Sequence, residues 1–133
     1  MKEQERWAAR TLLAALDPFF KAGGEFTARQ IQAFLMVAAQ EGLSVSEYAA
    51  QADESMSTMS RNLLDIGERN RSFERGAGLV DAVWDMRNAK RHTLTRAGWR
   101  LMSDVSGPLA KYIGDIRNRE DEKVQGHSAY KRR

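Results

Sequence analysis

The chain has 133 residues, of which 42% are hydrophobic and 29% are charged, so it is long enough for one domain with one core. It contains no cysteine, which excludes disulfide bonds, a thiolate nucleophile and a cysteine-ligated zinc site. The formal net charge of +3 is unevenly placed: basic against acidic residues number 5 to 8 in 1–60, 9 to 5 in 61–100 and 7 to 5 in 101–133. A basic middle segment beside an acidic first half favours a polyanionic partner.

The same composition argues against a membrane location. No apolar run approaches the roughly 18 residues that cross a bilayer, and the charged start of the chain lacks the apolar region of a secretory signal. We therefore expect a cytoplasmic protein with no membrane partner.

Three amphipathic helices are predicted in the first 52 residues. The first, within 1–22, carries apolar residues at helical spacing and has Asp17-Pro18 as a kink or restart. The second begins with the capping-box sequence Thr27-Ala28-Arg29-Gln30 and is stopped by Gly42. A second capping box, Ser44-Val45-Ser46-Glu47, begins a short third helix.

A fourth helix is predicted after Ser55, which can cap it. Its apolar face consists of Met56, Met59, Leu63 and Ile66, and Ser57, Thr58 and Arg61 point the other way. A helix pair whose second member exposes short hydroxyls and an arginine is what a helix-turn-helix needs to reach base edges. The plainer alternative is an ordinary solvated polar face.

The next segment changes to a two-residue period. Val80, Ala82 and Trp84 predict a strand with one buried face, and His92-Thr93-Leu94-Thr95 can return as its partner. The tip of this hairpin, Met86 to Arg91, carries three cations: Arg87, Lys90 and Arg91. On DNA these cations can contact phosphates or enter the minor groove, whereas in isolation they are a solvated basic turn.

The chain after the hairpin is expected to be helical and then disordered. Apolar residues recur at helical spacing from Leu101 to Ile116, and Gly107-Pro108 predicts two shorter helices there. From about Arg117 the charges are mixed without an apolar period, which predicts a disordered tail over 117–133.

Several of these short motifs, in this order, resemble the MarR-type winged-helix transcription regulators. The resemblance covers about residues 26–102. Its motifs are Ser55-Met56-Ser57-Thr58-Met59-Ser60-Arg61, Gly78-Leu79-Val80, Asp85-Met86-Arg87, Ala89-Lys90-Arg91 and the helix start Leu94-Thr95-Arg96-Ala97-Gly98-Trp99-Arg100-Leu101.

The resemblance implies a mainly α fold with a small β-hairpin (α+β): a winged helix-turn-helix with N- and C-terminal dimerisation helices. The implied division is 1–22 for the first dimerisation segment, 26–102 for the winged helix, 103–116 for the second dimerisation segment and 117–133 for the tail. It implies a homodimer that binds double-stranded DNA as a sequence-specific transcription regulator. Asp85 is expected to brace the wing by pairing with an arginine. The implied DNA contacts are Ser55, Ser57, Thr58, Arg61, Arg87, Lys90 and Arg91.

Besides Gly107-Pro108, two features depart from the family pattern. Asp53-Glu54 occupies the turn where the family tends to place glycine and an apolar residue, which puts two negative charges near the expected DNA surface. The stretch 68–77 is longer than the usual link to the wing, so either the recognition helix runs on or a loop intrudes.

The sequence offers no catalytic machinery, cofactor motif or metal site. Glu120-Asp121-Glu122 has no histidine at ligand spacing, and His92 is better explained as a packing or phosphate-contacting residue than as a general base. A small-molecule effector is left open, and Phe34, Trp99 and Met102 are better explained as filled core than as a pocket.

Two other functions remain open: a replication or partition factor of a mobile element, and a protein-interaction adaptor that has lost DNA binding.

Overall fold

The computed structural model describes residues 2–23, 25–68 and 75–131, with the backbone alone for 126–131. Its elements are five helices and one hairpin, in the order α1 Glu3–Lys21, α2 Ala28–Ala39, α3 Val45–Ala52, α4 Met56–Asp65, β1 Val80–Trp84, β2 Lys90–Leu94 and α5 Arg96–Lys131. The mainly helical fold with a two-stranded wing is as the sequence predicted. No helix in the described part of the chain is long and apolar enough to cross a membrane.

Both predicted capping boxes are present. At the start of α2 the Thr27 side chain accepts from the amide of Gln30, and the Gln30 side chain accepts from the amide of Thr27. Ser44 and Glu47 make the same reciprocal pair at the start of α3. Each pair satisfies two amides that a helix start otherwise leaves without partners, so sequence alone located both starts.

The chain divides into two compact units. The larger unit, Phe19–Ser103, contains the helix-turn-helix and the hairpin. Its aromatic centre is Phe19, which meets Phe26 and Phe34 edge to face at centroid distances of 5.8 and 5.5 Å. Around it lie buried apolar residues from α2, α3, α4, the hairpin and α5: Ala33, Val37, Tyr48, Ala49, Met59, Leu63, Ile66, Leu79, Val80, Leu94 and Leu101.

The smaller unit consists of the chain up to Pro18 and the chain from Asp104 onward. Within it Trp7 and Tyr112 pack edge to face with centroids 4.4 Å apart, and the guanidinium of Arg119 lies 4.5 Å from the centre of the Trp7 ring. Ala15 and Val105 are buried. Aromatic and cation–π contacts therefore contribute to this unit beside aliphatic burial.

Neither proline ends its helix, so the restart expected at Pro18 and the two shorter helices expected around Pro108 are not present. Pro18 lies inside α1 and Pro108 inside α5. Each proline lacks the amide that would bond the carbonyl four residues earlier, and those carbonyls belong to Ala14 and Asp104, which are both exposed. Water can satisfy them, so the helices continue.

Helix α5 also continues through residues predicted to be disordered. It runs to Lys131, so most of the 117–133 segment is helical. The span from Asp115 to Val124 contains no glycine or proline, and it places opposite charges three and four residues apart, as in Arg117 and Asp121. Such pairs stabilise a helix that is polar on all sides. The sequence prediction missed this helix because the segment has no apolar period.

Candidate nucleic-acid interface

The turn between α3 and α4 is closed by backbone bonds. The amide of Asp53 donates to Ala50 O at 3.3 Å and the amide of Glu54 donates to Ala49 O at 3.0 Å. Asp53 has φ 53° and ψ 47°, the left-handed conformation that this helix ending requires and that glycine adopts most easily. Aspartate in the position where the family tends to place glycine therefore keeps the geometry of the turn.

Of the two acidic residues in this turn, only Asp53 is exposed. The side chain of Glu54 is 11% exposed, and its Oε1 lies 3.3 Å from Nε of Arg29 at the start of α2. The sequence had led us to expect two negative charges near the DNA surface that the resemblance implies. Burial and ion pairing remove one of them, so the sequence overstated the electrostatic obstacle to binding a polyanion.

Three hydroxyls gather at the start of α4. Ser55 Oγ accepts from the Thr58 amide at 3.1 Å and donates to Thr58 Oγ1 at 2.8 Å, and Ser57 Oγ lies 3.2 Å from Ser55 Oγ. The cap predicted at Ser55 is present. Ser55, Ser57 and, one turn after Ser57, Arg61 are exposed, whereas Thr58 is half-buried. The Ser57 hydroxyl and the Arg61 guanidinium therefore lie on one exposed surface of α4.

Buried residues fix the opposite side of α4. Met59 and Leu63 are buried within the helix, and Ile66 is buried directly after it. Met56, expected on the same apolar face, is 58% exposed, because the first turn of α4 projects beyond the core. With its inner face packed, α4 presents Ser57 and Arg61 on a rigid element.

The tip of the hairpin is a tight turn built on Asp85. Its carboxylate Oδ1 accepts from the amides of Arg87 at 2.8 Å and Ala89 at 3.0 Å, and Asn88 occupies the left-handed region with φ 59°. The bond to the Ala89 amide, followed by the contact with Arg91, lowers the pKa of Asp85. Asp85 is therefore an anion at neutral pH and holds the turn from inside.

Arg91 is turned away from the tip. It belongs to β2, and the predicted tip of six residues shortens to the five-residue turn 85–89. Its Nε bonds Asp85 Oδ2 at 3.0 Å, and its Nη1 bonds Glu47 Oε1 at 2.9 Å and lies 3.4 Å from Gly42 O. The pairing of Asp85 with an arginine, predicted from the resemblance, is confirmed, and Arg91 is that arginine. Arg91 lies where it braces the wing rather than where it reaches outward.

Glu47 links the wing to the helix-turn-helix. The same carboxylate that completes the capping box of α3, by accepting from the Ser44 amide and hydroxyl, also accepts from Arg91. The Ser44 backbone and hydroxyl bonds, together with Arg91, lower the pKa of Glu47, and the bond that Arg91 donates to Asp85 raises the pKa of Arg91. Sequence reasoning missed this role of Glu47, because its partner is 44 residues away.

The base of the wing is joined to the segment between α2 and α3. The Gly42 amide donates to His92 O at 2.8 Å, and the His92 amide donates to Leu43 O at 3.1 Å. The His92 ring is 5% exposed, with Nδ1 3.3 Å from Leu43 O and the Tyr48 ring edge-on at 6.0 Å. Burial lowers the pKa of His92. Of the two roles expected for His92, packing and phosphate contact, the structure places it in packing.

The outer half of the hairpin is exposed on both faces. Val80 is the buried member of β1, whereas Ala82 and Trp84, expected on its buried face, are exposed. Trp84 is paired across the strands with Lys90, and Lys90 Nζ lies 5.2 Å from the centre of the Trp84 ring. The hairpin extends past the core, so its last residues have nothing to pack against. Arg87 and Lys90 are the predicted wing cations that remain exposed.

The described residues contain no cluster of three or more histidine, aspartate or glutamate side chains that could hold a metal ion. Phe34, Trp99 and Met102 were considered as the lining of an effector pocket. Phe34 is buried in the core, and Trp99 is 51% exposed. Helix α4 ends at Asp65 and Ile66 is its C-cap, so α4 does not run through 67–68. Most of the long 68–77 stretch lies outside the described residues.

Comparison with known proteins finds likeness at the level of three-dimensional structure. No family model and no curated protein matches the sequence. A MarR-family transcriptional regulator from Silicibacter pomeroyi aligns over 92% of this chain and 82% of its own, with 18% identity and a TM-score of 0.53.

Two structures of the S. aureus protein MepR are also similar. A mutant solved bound to an oligodeoxyribonucleotide covers 92% of this chain and 85% of its own, with 16% identity and a TM-score of 0.62. A MepR–DNA complex covers 95% and 91%, with 16% identity and a TM-score of 0.59. At these identities the likeness is one of fold: the chain has the winged-helix fold of MarR-family regulators over nearly its whole length.

Proposed function

We propose that this chain, which has the fold of MarR-family transcription regulators, forms a homodimer. The homodimer regulates transcription by binding double-stranded DNA in a sequence-specific manner. The observation that carries the proposal is the α3–turn–α4 unit, whose second helix exposes Ser57 and Arg61, together with the hairpin braced against α3. The MepR structures solved with DNA support the same function.

In this proposal α4 lies in the major groove. Arg61 is the base-reading residue, because a guanidinium can bond two acceptors on a guanine edge. Ser57 contacts a base or a phosphate, and Ser55 and Thr58 add to the same contact region while holding the helix start. Thr58 is half-buried, so its role is to orient the start of α4 as much as to touch DNA.

The wing contributes affinity rather than sequence preference. Arg87 and Lys90 are exposed and contact phosphates or the minor groove. Arg91, proposed from sequence as a third contact, acts in this account as the brace that positions the other two.

Dimerisation is assigned to the smaller unit. It exposes apolar side chains that a monomer leaves in water: Leu12, Leu13, Ile113 and Val124, each 49–67% exposed. Burying such residues against a second copy removes them from solvent. The resulting dimer has two-fold symmetry, which suits a DNA site made of two half-sites. Light scattering should report a dimer at micromolar concentration. Leu13→Glu should give a monomer, whereas Lys2→Glu, which places the same charge on an exposed polar position, should not. A monomeric wild type contradicts this part of the proposal.

The test of DNA binding is selection of bound duplexes from a random pool, followed by titration of selected and random duplexes at several salt concentrations. Arg61→Ala should cost roughly 1–3 kcal/mol on the selected duplex and much less on random duplex. Arg87→Ala should weaken binding to both duplexes alike and reduce the salt slope by about 0.9. Arg6→Ala, an exposed arginine of α1, is the matched control and should leave both affinities unchanged.

The outcomes separate the other two functions. An adaptor shows no salt-dependent duplex binding. It is less favoured than the sequence suggested, because Glu54 is buried against Arg29. A replication or partition factor binds duplex DNA equally well, and differs because its selected site maps to an origin or partition locus rather than to a promoter.

A further inference from the structure

The most exposed large apolar residue in the described chain is at the tip of the wing. Met86 has its whole side chain in solvent, between Asp85 and Arg87. Single exposed apolar residues are common on protein surfaces and need no explanation. Met86 differs from such residues in the way that its backbone is held and in the charges beside it.

The turn that carries Met86 is fixed from inside the protein. Asp85 bonds two amides of the turn and Arg91, and Arg91 is in turn bonded to Glu47 of α3. The side chain at the apex is therefore presented on a supported arm. A residue held in this way loses little further backbone freedom when it inserts into a partner.

The charges at the tip select the kind of partner. Arg87 and Lys90 are exposed, whereas the negative charge of Asp85 is paired with Arg91. Lys90 lies over Trp84, which keeps its ammonium close to the hairpin. An apolar apex flanked by cations fits a polyanion with an apolar interior, which is the chemistry of stacked base pairs between two phosphate backbones.

We propose that Met86 is a wedge that enters the minor groove of duplex DNA and partly unstacks one base step. The inference rests on the proposed function. The minor groove, roughly 6 Å wide, admits single side chains, and methionine is among the residues that architectural proteins insert between base steps. Pyrimidine–purine steps unstack most easily, so a TA or CA step at the wing position is preferred although its base edges make no hydrogen bond to Met86.

The experiment uses the full-length protein and selected duplexes in which 2-aminopurine replaces one adenine at a time. Binding of the wild type should raise the fluorescence at one pyrimidine–purine step under the wing, because unstacking relieves quenching. Met86→Leu keeps an apolar wedge and should retain the signal. Met86→Ala should lose it and bind about tenfold more weakly, with an unchanged salt slope.

Folding does not confuse the result, since Met86 is in solvent and both variants should melt with the wild type. Wild-type binding without a fluorescence rise at any step overturns the wedge and leaves the proposed function intact. Unchanged signal and affinity in Met86→Ala overturn the wedge as well. Failure of the wild type to bind any duplex in a salt-dependent way instead refutes the proposed function.

Discussion

Replacement of Tyr48 by phenylalanine tests how the wing is held to the helix-turn-helix. Tyr48 is fully buried in α3, and its hydroxyl donates to Gln40 O at 2.7 Å and accepts from the Leu43 amide at 3.4 Å. These bonds fix the segment whose Gly42 and Leu43 pair with His92 of the wing. The hydroxyl therefore acts on the wing through the backbone rather than by direct contact.

The expected loss follows from these contacts. Phenylalanine keeps the ring and its packing, so the change removes one short hydrogen bond and one long one and leaves a carbonyl and an amide without that partner. Such a change costs about 1–2 kcal/mol, which in a domain of this size lowers Tm by several degrees. Burial raises the pKa of Tyr48, so the hydroxyl remains protonated and able to donate through the neutral range.

The assay is urea unfolding with an amide hydrogen-exchange measurement. Tyr48→Phe should reduce the free energy of unfolding and speed exchange at Gly42 and His92. Tyr112→Phe is the matched control, because the contact described for Tyr112 is the edge-on packing of its ring against Trp7. If Tyr48→Phe is as stable as the wild type, or if both variants lose the same amount, the hydroxyl does not anchor the wing and this reasoning is wrong.

Three further predictions concern the wing junction and the turn. Burial lowers the pKa of His92, so as pH falls the unfolded chain protonates this histidine before the folded chain does. The free energy of unfolding should therefore decrease as pH drops below about 6.5. Urea titrations of His92→Gln should lack this part of the pH dependence. Asp53→Gly removes a charge and the steric cost of the left-handed conformation, so Tm and duplex affinity should both rise. Asp53→Asn should raise duplex affinity alone. A fall in Tm for the glycine variant contradicts this account of the turn. Gly98→Ala should destabilise by several kcal/mol in denaturant titrations, because its Cβ would overlap the Leu79 carbonyl; Gly107→Ala, in open space, should not.

The local signals in the sequence were sufficient for the helix starts and for the kind of surface on α4. Thr27, Ser44 and Ser55 cap helices through residues three positions away, so the interaction lies within one short window of sequence. The helical spacing of apolar residues likewise placed Met59 and Leu63 inside and Ser57 outside. The use of these residues on DNA is still a prediction.

The same signals failed where a neighbour or its absence decides the outcome. The pattern of β1 suggested a buried face, but Ala82 and Trp84 extend past the core and stay exposed. Proline suggested breaks in α1 and α5, but a missing amide matters little where the orphaned carbonyl faces water.

Sequence by itself determined which residues cap α2, α3 and α4 and where Met59 and Leu63 lie on α4, since both depend on short-range geometry. The family resemblance added that Asp85 pairs with an arginine. Only the tertiary structure decided which arginine that is. Arg87 and Arg91 are equally cationic and lie two and six residues from Asp85, but β2 brings Arg91 to both Asp85 and Glu47 and leaves Arg87 exposed. Charge is a property of the residue, whereas its partner is a property of the distance that folding creates, and here that distance spans 44 residues of chain.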